Sequence, residues 1–311
     1  MLPVQINCQK KYTSNTAEYR QKAWPKLVGL TDDGDVPELI GSLTDSESPY
    51  SIRSLSDYES DCNIENTAKG PEIDANIDLI RRDAGRSVIF RYNSETPDAA
   101  PLTPPFASER LAQVLENIIK QGNTSLHYYQ GLHDIAGVIL HNMDYQVDAA
   151  TQILKRISNS HLRDAMRENF SNINWFLNVL LPPLVERVDR YVHYSLLVSQ
   201  IELATICLPW MITWFTHDIH HPETAGRLVD AFLSGHPLMP IYFAVALITH
   251  PVLKKEIINA DCDDPSTVFM VVKKMPLRLK TTQKAVLPRP HEQQEQHISL
   301  QEVLEDSISI M

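Results

Sequence analysis

The chain has 311 residues, with 28 Lys+Arg against 39 Asp+Glu and a net charge of −11, a balance that argues against a nucleic-acid binder resting on a basic surface. Hydrophobic residues make up 43%, enough for a packed core, and only 10 glycines leave little for hairpins and phosphate loops, so composition leans toward helices. Cys8, Cys62, Cys207 and Cys262 are isolated, with no CxxC pair, and the N-terminus lacks the apolar core of a signal peptide, which together predict a reducing, cytoplasmic setting.

A short arm over residues 1–14 precedes a first predicted helix over 15–29, with Tyr19, Ala23, Trp24 and Leu27 on one face. Composition then shifts. Residues 31–66 hold ten acids and a single base, Arg53, with few large apolar side chains. Such a stretch cannot bury enough surface to offset its ordering entropy, so 31–70 is predicted to be a disordered acidic insert. Residues 31–66 carry nine of the eleven net negative charges and leave a nearly neutral body, so the acidity is local to this insert and the tail.

From Pro71 to Met275 the pattern is helical. The segment 106–121 carries a stripe of Leu111, Val114, Leu115 and Ile118, preceded by prolines and followed by Gly122. Further helices are predicted over 132–142, 147–157 and 170–192, the last kinked or divided at Pro182-Pro183. Others follow over 199–216, 224–234, 239–249 and 266–274. No segment alternates with period two convincingly enough to predict a sheet. Residues 231–253 lack Asp, Glu, Lys and Arg, but prolines interrupt them and Met239–Ile248 is too short to span a bilayer. The polar residues 280–311 are expected to form a flexible tail, with at most a short amphipathic turn at Ile298, Leu300, Val303 and Leu304.

Phosphate-binding loops of the GxxxxGK[ST] and GxGxxG kinds, HExxH and GxSxG are all missing. His217, His220 and His221 have spacings that could share a metal, but no third ligand type stands nearby, and a polar helix end is the better reading. Two polar segments stand out. Ile80-Arg81-Arg82-Asp83-Ala84-Gly85-Arg86 closes a helix, and the three-residue spacing of Asp83 and Arg86 lets a carboxylate hold a guanidinium. His127-Tyr128-Tyr129-Gln130-Gly131-Leu132-His133-Asp134 lies between two predicted helices and suggests a held loop presenting an amide.

Taken in order, Ile80-x-x-Asp83-x-x-Arg86 and Tyr128-x-Gln130-Gly131 resemble the two signature motifs of the TBC domain family, and Arg20-x-x-x-Trp24 resembles its N-terminal motif. The resemblance covers residues 17–276 apart from the insert. Leu126–Ile135, His161-Leu162-Arg163-Asp164, Trp210–Phe215 and His236–Ala244 are similar to its member-20 branch. Leu132 and His133 stand where the wider family often has Met-Asn. The family consists of all-helical GTPase-activating proteins for Rab small GTPases. The resemblance therefore implies an all-α, multi-helix TBC domain over 15–279.

It further implies Arg86 as an arginine finger and Gln130 as a glutamine finger, acting in trans. Asp83, Tyr128, Gly131 and Asp134 are implied as supporting residues, with Asp83 holding Arg86. The implied partner is a GTP-bound Rab of endoplasmic reticulum-to-Golgi traffic. GTP and Mg²⁺ belong to that partner, so no cofactor of the chain's own is expected. The branch is usually tethered to the endoplasmic reticulum by a C-terminal transmembrane helix. No such segment is found in this chain, so association at an endoplasmic reticulum or Golgi surface is expected to be peripheral. The alternative is a Rab-binding or scaffold module without catalysis.

Overall fold

Two helices enclosed on nearly every side organise the molecule. In the computed structural model, which describes residues 16–30, 71–87, 106–121, 126–219, 221–260, 264–281 and 297–311, these are α4 (Leu132–Asn142) and α10 (Met239–Thr249). Only His141 among the α4 residues escapes full burial, and eight of the eleven α10 residues are buried. α10 has no polar face and must be surrounded, and α4 buries its few polar side chains with its apolar ones. Around α4 pack α1 (Thr16–Leu27), α2 (Pro71–Ala84), α3 (Ala107–Gln121), α5 (Val147–Asn159), α8 (Leu203–Thr213) and α9 (Pro222–Ser234). Around α10 pack α6 (Ser171–Val188), α8, α9, α11 (Pro251–Asn259) and α13 (Leu300–Ile310), while α7 (Arg190–Val198) and α12 (Pro265–Lys273) complete the body.

The all-α expectation holds. Helices α4 and α10 fall on the predicted spans 132–142 and 239–249, and the stripe Leu111, Val114, Leu115 and Ile118 of α3 is wholly buried. The N-terminal arm and the acidic insert lie outside the described residues. Among the described residues no single helix is long and apolar enough to cross a membrane.

Several expectations are corrected. Of the two outcomes expected at Pro182-Pro183, division there does not occur: α6 runs through both prolines and ends at Val188, and the Asp189 side chain accepts from the N–H groups of Tyr191 (3.0 Å) and Val192 (3.1 Å) to start α7. Burial of Leu177, Leu181 and Val185 along one stripe of α6 offsets the backbone bonds the prolines remove. Helix α11, enclosed between Pro251 and Asn259, was not anticipated. On α1 the predicted face holds only at Trp24, which is fully buried, because Tyr19 and Leu27 are exposed.

The partner of Trp24 on the buried face of α1 is Arg20. The Arg20 guanidinium donates to Asp230 (2.9 Å), Glu223 (3.0 Å) and the Asn142 side-chain oxygen (3.1 Å), and Trp24 Nε1 donates to Asp230 at 2.7 Å. Periodicity could not find this face, since its centre is a charged residue.

The flexible-tail expectation also fails over its final part. Residues 282–296 lie outside the described residues, but Ile298-Ser299 pairs in parallel with Leu279-Lys280, and α13 packs on α10. Ile298, Leu300 and Val303 are essentially fully buried and Leu304 nearly so. The apolar residues of that weak amphipathic turn are few, yet they cover one side of a helix that has no polar side.

Two outcomes follow from this packing. Leu300→Ala should lower the unfolding free energy by about 2–4 kcal/mol in urea titrations, as for other core truncations. An unchanged midpoint would return the segment to the status of a loose tail. Arg20→Met should cost about 3 kcal/mol by leaving Asp230 and Glu223 without their shared cation, and a loss below about 0.5 kcal/mol would show the network to be energetically idle.

Candidate functional site

The two polar segments singled out in the sequence meet. Helix α2 ends at Ala84, and the chain turns on backbone bonds from Gly85 N–H to the Arg81 carbonyl (3.4 Å) and from Arg86 N–H to the Asp83 carbonyl (2.8 Å). Asp83 is 1% exposed, whereas Arg86 is exposed. The Asp83 carboxylate accepts a 3.0 Å hydrogen bond from the Tyr128 hydroxyl, 45 residues along the chain. No ion pair between the Asp83 and Arg86 side chains occurs among the described residues, which corrects the expectation that this carboxylate holds the guanidinium. Arg81 pairs with Glu116 (3.0 Å) and Arg82 donates to the Asp78 carbonyl (3.3 Å), so the other two arginines of this segment are engaged along α2 and α3.

Burial, followed by the adjacent Asp83 charge, raises the Tyr128 proton affinity far above that of an ordinary phenol. The hydroxyl is therefore a donor at any pH of interest. Tyr129 is held from the other side, its hydroxyl donating to the Ile212 carbonyl at 2.7 Å and its ring meeting Phe170 edge-on at 5.8 Å. With both tyrosines fixed, the next residue, Gln130, stands exposed at the turn that begins α4.

Gly131 caps α4 with φ at 117°, a conformation that L side chains rarely adopt. A Cβ there would lie 2.8 Å from Thr213 Cγ2. Glycine is thus required twice, by the backbone and by close approach of α8. Asp134, in the first turn of α4, is 1% exposed, and its Oδ2 accepts from His217 Nδ1 at 2.7 Å. Its position suits the positive end of the helix dipole. His133 lies between these elements: Gly131 N–H donates to its Nδ1 at 3.2 Å, and its Nε2 is 3.5 Å from Asp134 Oδ1.

Thr213 and His217 come from a strained stretch. Trp214 and Phe215 both have positive φ, 48° and 61°, which is unusual for bulky residues. Their rings anchor it: Phe215 stacks on Trp210 (5.4 Å) and meets Phe243 edge-on (4.9 Å), and Trp214 meets Phe232 edge-on (5.8 Å).

The assembled site has an exposed guanidinium and an exposed carboxamide on neighbouring segments, with no metal-binding cluster among the described residues. Of the three clustered histidines, His217 is engaged with Asp134 and His220 lies outside the described residues. This is a surface that offers donors to something else. The profile of the Rab-GTPase-TBC domain family matches residues 17–258.

The chain belongs to that family. TBC1 domain family member 20 of Bos taurus is 32% identical over 253 residues, which is 80% of this chain and 52% of the relative. The Homo sapiens protein of the same name is 37% identical over 147 residues, 47% of this chain and 35% of the relative. GTPase-activating protein gyp10 of Schizosaccharomyces pombe is 27% identical over 190 residues, 60% of this chain and 47% of the relative. The chain thus spans about half or less of the length of these curated relatives. A solved Chlamydomonas flagellar RabGAP TBC domain superposes with a TM-score of 0.55, covering 94% of this chain and 79% of that one. At 13% identity it supports the fold alone.

In this TBC domain the six residues proposed from sequence lie on three neighbouring segments: the end of α2, the loop before α4 and the first turn of α4. His133, Thr213 and His217 were not among them. The signal for His133 was its place in the first helical turn, where a side chain can reach back to the amide of the capping residue, as in a capping box.

Gly131→Ala should destabilise the domain by about 1–3 kcal/mol. Adding Thr213→Ser, which deletes Cγ2 and keeps the 2.7 Å bond from Thr213 Oγ1 to the Pro209 carbonyl, should recover part of that loss, leaving the share due to φ. Thermal melts of the two variants check this, and an alanine tolerated without loss would refute the double requirement.

Proposed function

We propose that this TBC domain accelerates GTP hydrolysis by a Rab GTPase, with Arg86 as an arginine finger and Gln130 as a glutamine finger. One observation carries the reading: the exposed Arg86 and Gln130 sit on two segments stapled together by the buried Tyr128–Asp83 hydrogen bond. The staple lies three residues from one finger and two from the other, so it fixes both at once.

The chemistry follows from what GTP hydrolysis lacks. Phosphoryl transfer to water needs positioning and charge stabilisation rather than covalent help. Negative charge on the phosphoryl oxygens is met by the guanidinium, which is worth far more in an interface from which water is excluded. Such a residue contributes roughly 10³–10⁵ in rate, equivalent to about 4–7 kcal/mol. The Gln130 carboxamide has an acceptor for the attacking water and a donor for a phosphate oxygen. GTP and Mg²⁺ come with the Rab; this chain supplies side chains in trans and no cofactor.

The strings Leu126–Ile135, His161–Asp164, Trp210–Phe215 and His236–Ala244, with their likeness to the member-20 branch, support a partner in endoplasmic reticulum-to-Golgi traffic and work at those membrane surfaces.

Multiple-turnover hydrolysis by a panel of GTP-loaded Rabs tests the proposal. The wild type should accelerate at least one Rab, Arg86→Ala should lower kcat by about 10³-fold or more, and Gln130→Ala should lower it by about 10²–10³-fold. Binding without turnover by the wild type would turn the reading into a scaffold module. Full activity of both variants would remove the finger assignment.

A further inference from the structure

The peptide joining Gln130 to Gly131 is gripped by a side chain to which neither sequence nor family assigns a role. Its N–H, on Gly131, donates to His133 Nδ1 at 3.2 Å. The imidazole itself is buried, 4% exposed as a residue. Only one tautomer of a neutral ring can do this, with the lone pair on Nδ1 and the proton on Nε2.

The surroundings select that tautomer. Nε2 faces Asp134 Oδ1 at 3.5 Å, so a carboxylate oxygen waits on the side where the proton must sit. The other oxygen, Oδ2, accepts from His217 Nδ1 at 2.7 Å, which fixes the carboxylate from the α8 side. On the Nδ1 side the Tyr128 hydroxyl is 3.5 Å away, but its proton goes to Asp83 and does not compete. Burial lowers the proton affinity of His133, as do the charges of His217 and Arg86, against the opposing pull of Asp134 and Asp83. The neutral ring needed to accept from Gly131 is thereby favoured.

We infer that His133 is a positioning residue for Gln130: through Nδ1 it holds the Gln130–Gly131 peptide plane and so sets the direction in which the carboxamide leaves the loop. The inference rests on the proposed function for its consequence and on the Gly131–His133 bond for its mechanism. The backbone at Gly131 is free of Cβ restraint, and although its carbonyl accepts from the Asp134 N–H (3.1 Å), its own N–H, at the cap of α4, has no intrahelical acceptor and relies on His133. A carboxamide aimed wrongly by about 1 Å loses on the order of 10² in rate while the docked surface is unchanged.

The test has two arms. The first needs no Rab: imidazole ¹⁵N spectra of the full chain at pH 7.5, assigned with His133→Asn, should show the neutral Nε2–H tautomer for His133. A proton on Nδ1 or an imidazolium would overturn the hold. The second is steady-state kinetics on the Rab that the wild type activates. His133→Asn keeps an acceptor where Nδ1 lies and should hold kcat within about 3-fold, whereas His133→Leu should lower kcat about 10–100-fold with KM nearly constant, because the interaction matters only at the transition state. In a Gln130→Ala background His133→Leu should cost nothing further. Equal losses with and without Gln130, or equal losses in the Asn and Leu variants, would reduce His133 to a packing residue and refute the inference. A wild type inactive on every Rab would refute the proposed function and the aiming role with it, and the tautomer would still report separately on the hold.

Discussion

The 3.0 Å hydrogen bond from Tyr128 to Asp83 is the constraint on which the site depends. A carboxylate 1% exposed is costly unless its acceptor capacity is met, so the phenol cannot leave without leaving a buried charge short of a donor. That requirement ties the C-terminal end of α2 to the loop before α4. Everything exposed near it is fixed in consequence. Arg86 follows one side of the staple by a turn closed on the Asp83 carbonyl, and Gln130 follows the other by two residues.

The loop is also held from α8, and that hold originates in the core. Left-handed conformations at Trp214 and Phe215 persist only where the surroundings over-determine them. Here Trp210, Phe232 and Phe243 do so through ring contacts between 4.9 and 5.8 Å. The turn they enforce places Thr213 against Gly131 and His217 against Asp134. Apolar burial far from the surface thus becomes orientation at the surface. The same core takes α13 as its cover over α10, so the C-terminal helix supports the site at one remove.

Much of the fold was legible because it rests on period. The stripe of α3 and the all-apolar α10 announce themselves, and their predicted spans agree with the structure to within a residue. What was missed rests on polar groups buried by long-range partners, for which no local pattern exists. Arg20 stands out in the sequence only through its motif with Trp24, and no local pattern announces its partner Asp230, more than two hundred residues later. His133 reads as a substitution within a motif until the Gly131 amide is seen to donate to it. Pro182-Pro183 reads as a kink or a break until the buried stripe of Leu177, Leu181 and Val185 shows what holds α6 together.

The corrected role of Asp83 has a physical meaning for the proposed chemistry. A guanidinium paired with a carboxylate must surrender that partner before it can meet a phosphate, and the lost interaction is subtracted from whatever the phosphate returns. Directing Asp83 toward Tyr128 removes the competition, since a neutral phenol satisfies the carboxylate while the turn at Gly85-Arg86 is carried by backbone bonds. No carboxylate among the described residues forms an ion pair with Arg86, and the charge it carries is felt inward only weakly, as one of several influences on His133. Position without neutralisation is what a finger acting on a partner's phosphates requires, and a motif in which aspartate and arginine stand three apart achieves it by sending the two side chains to opposite sides of the surface.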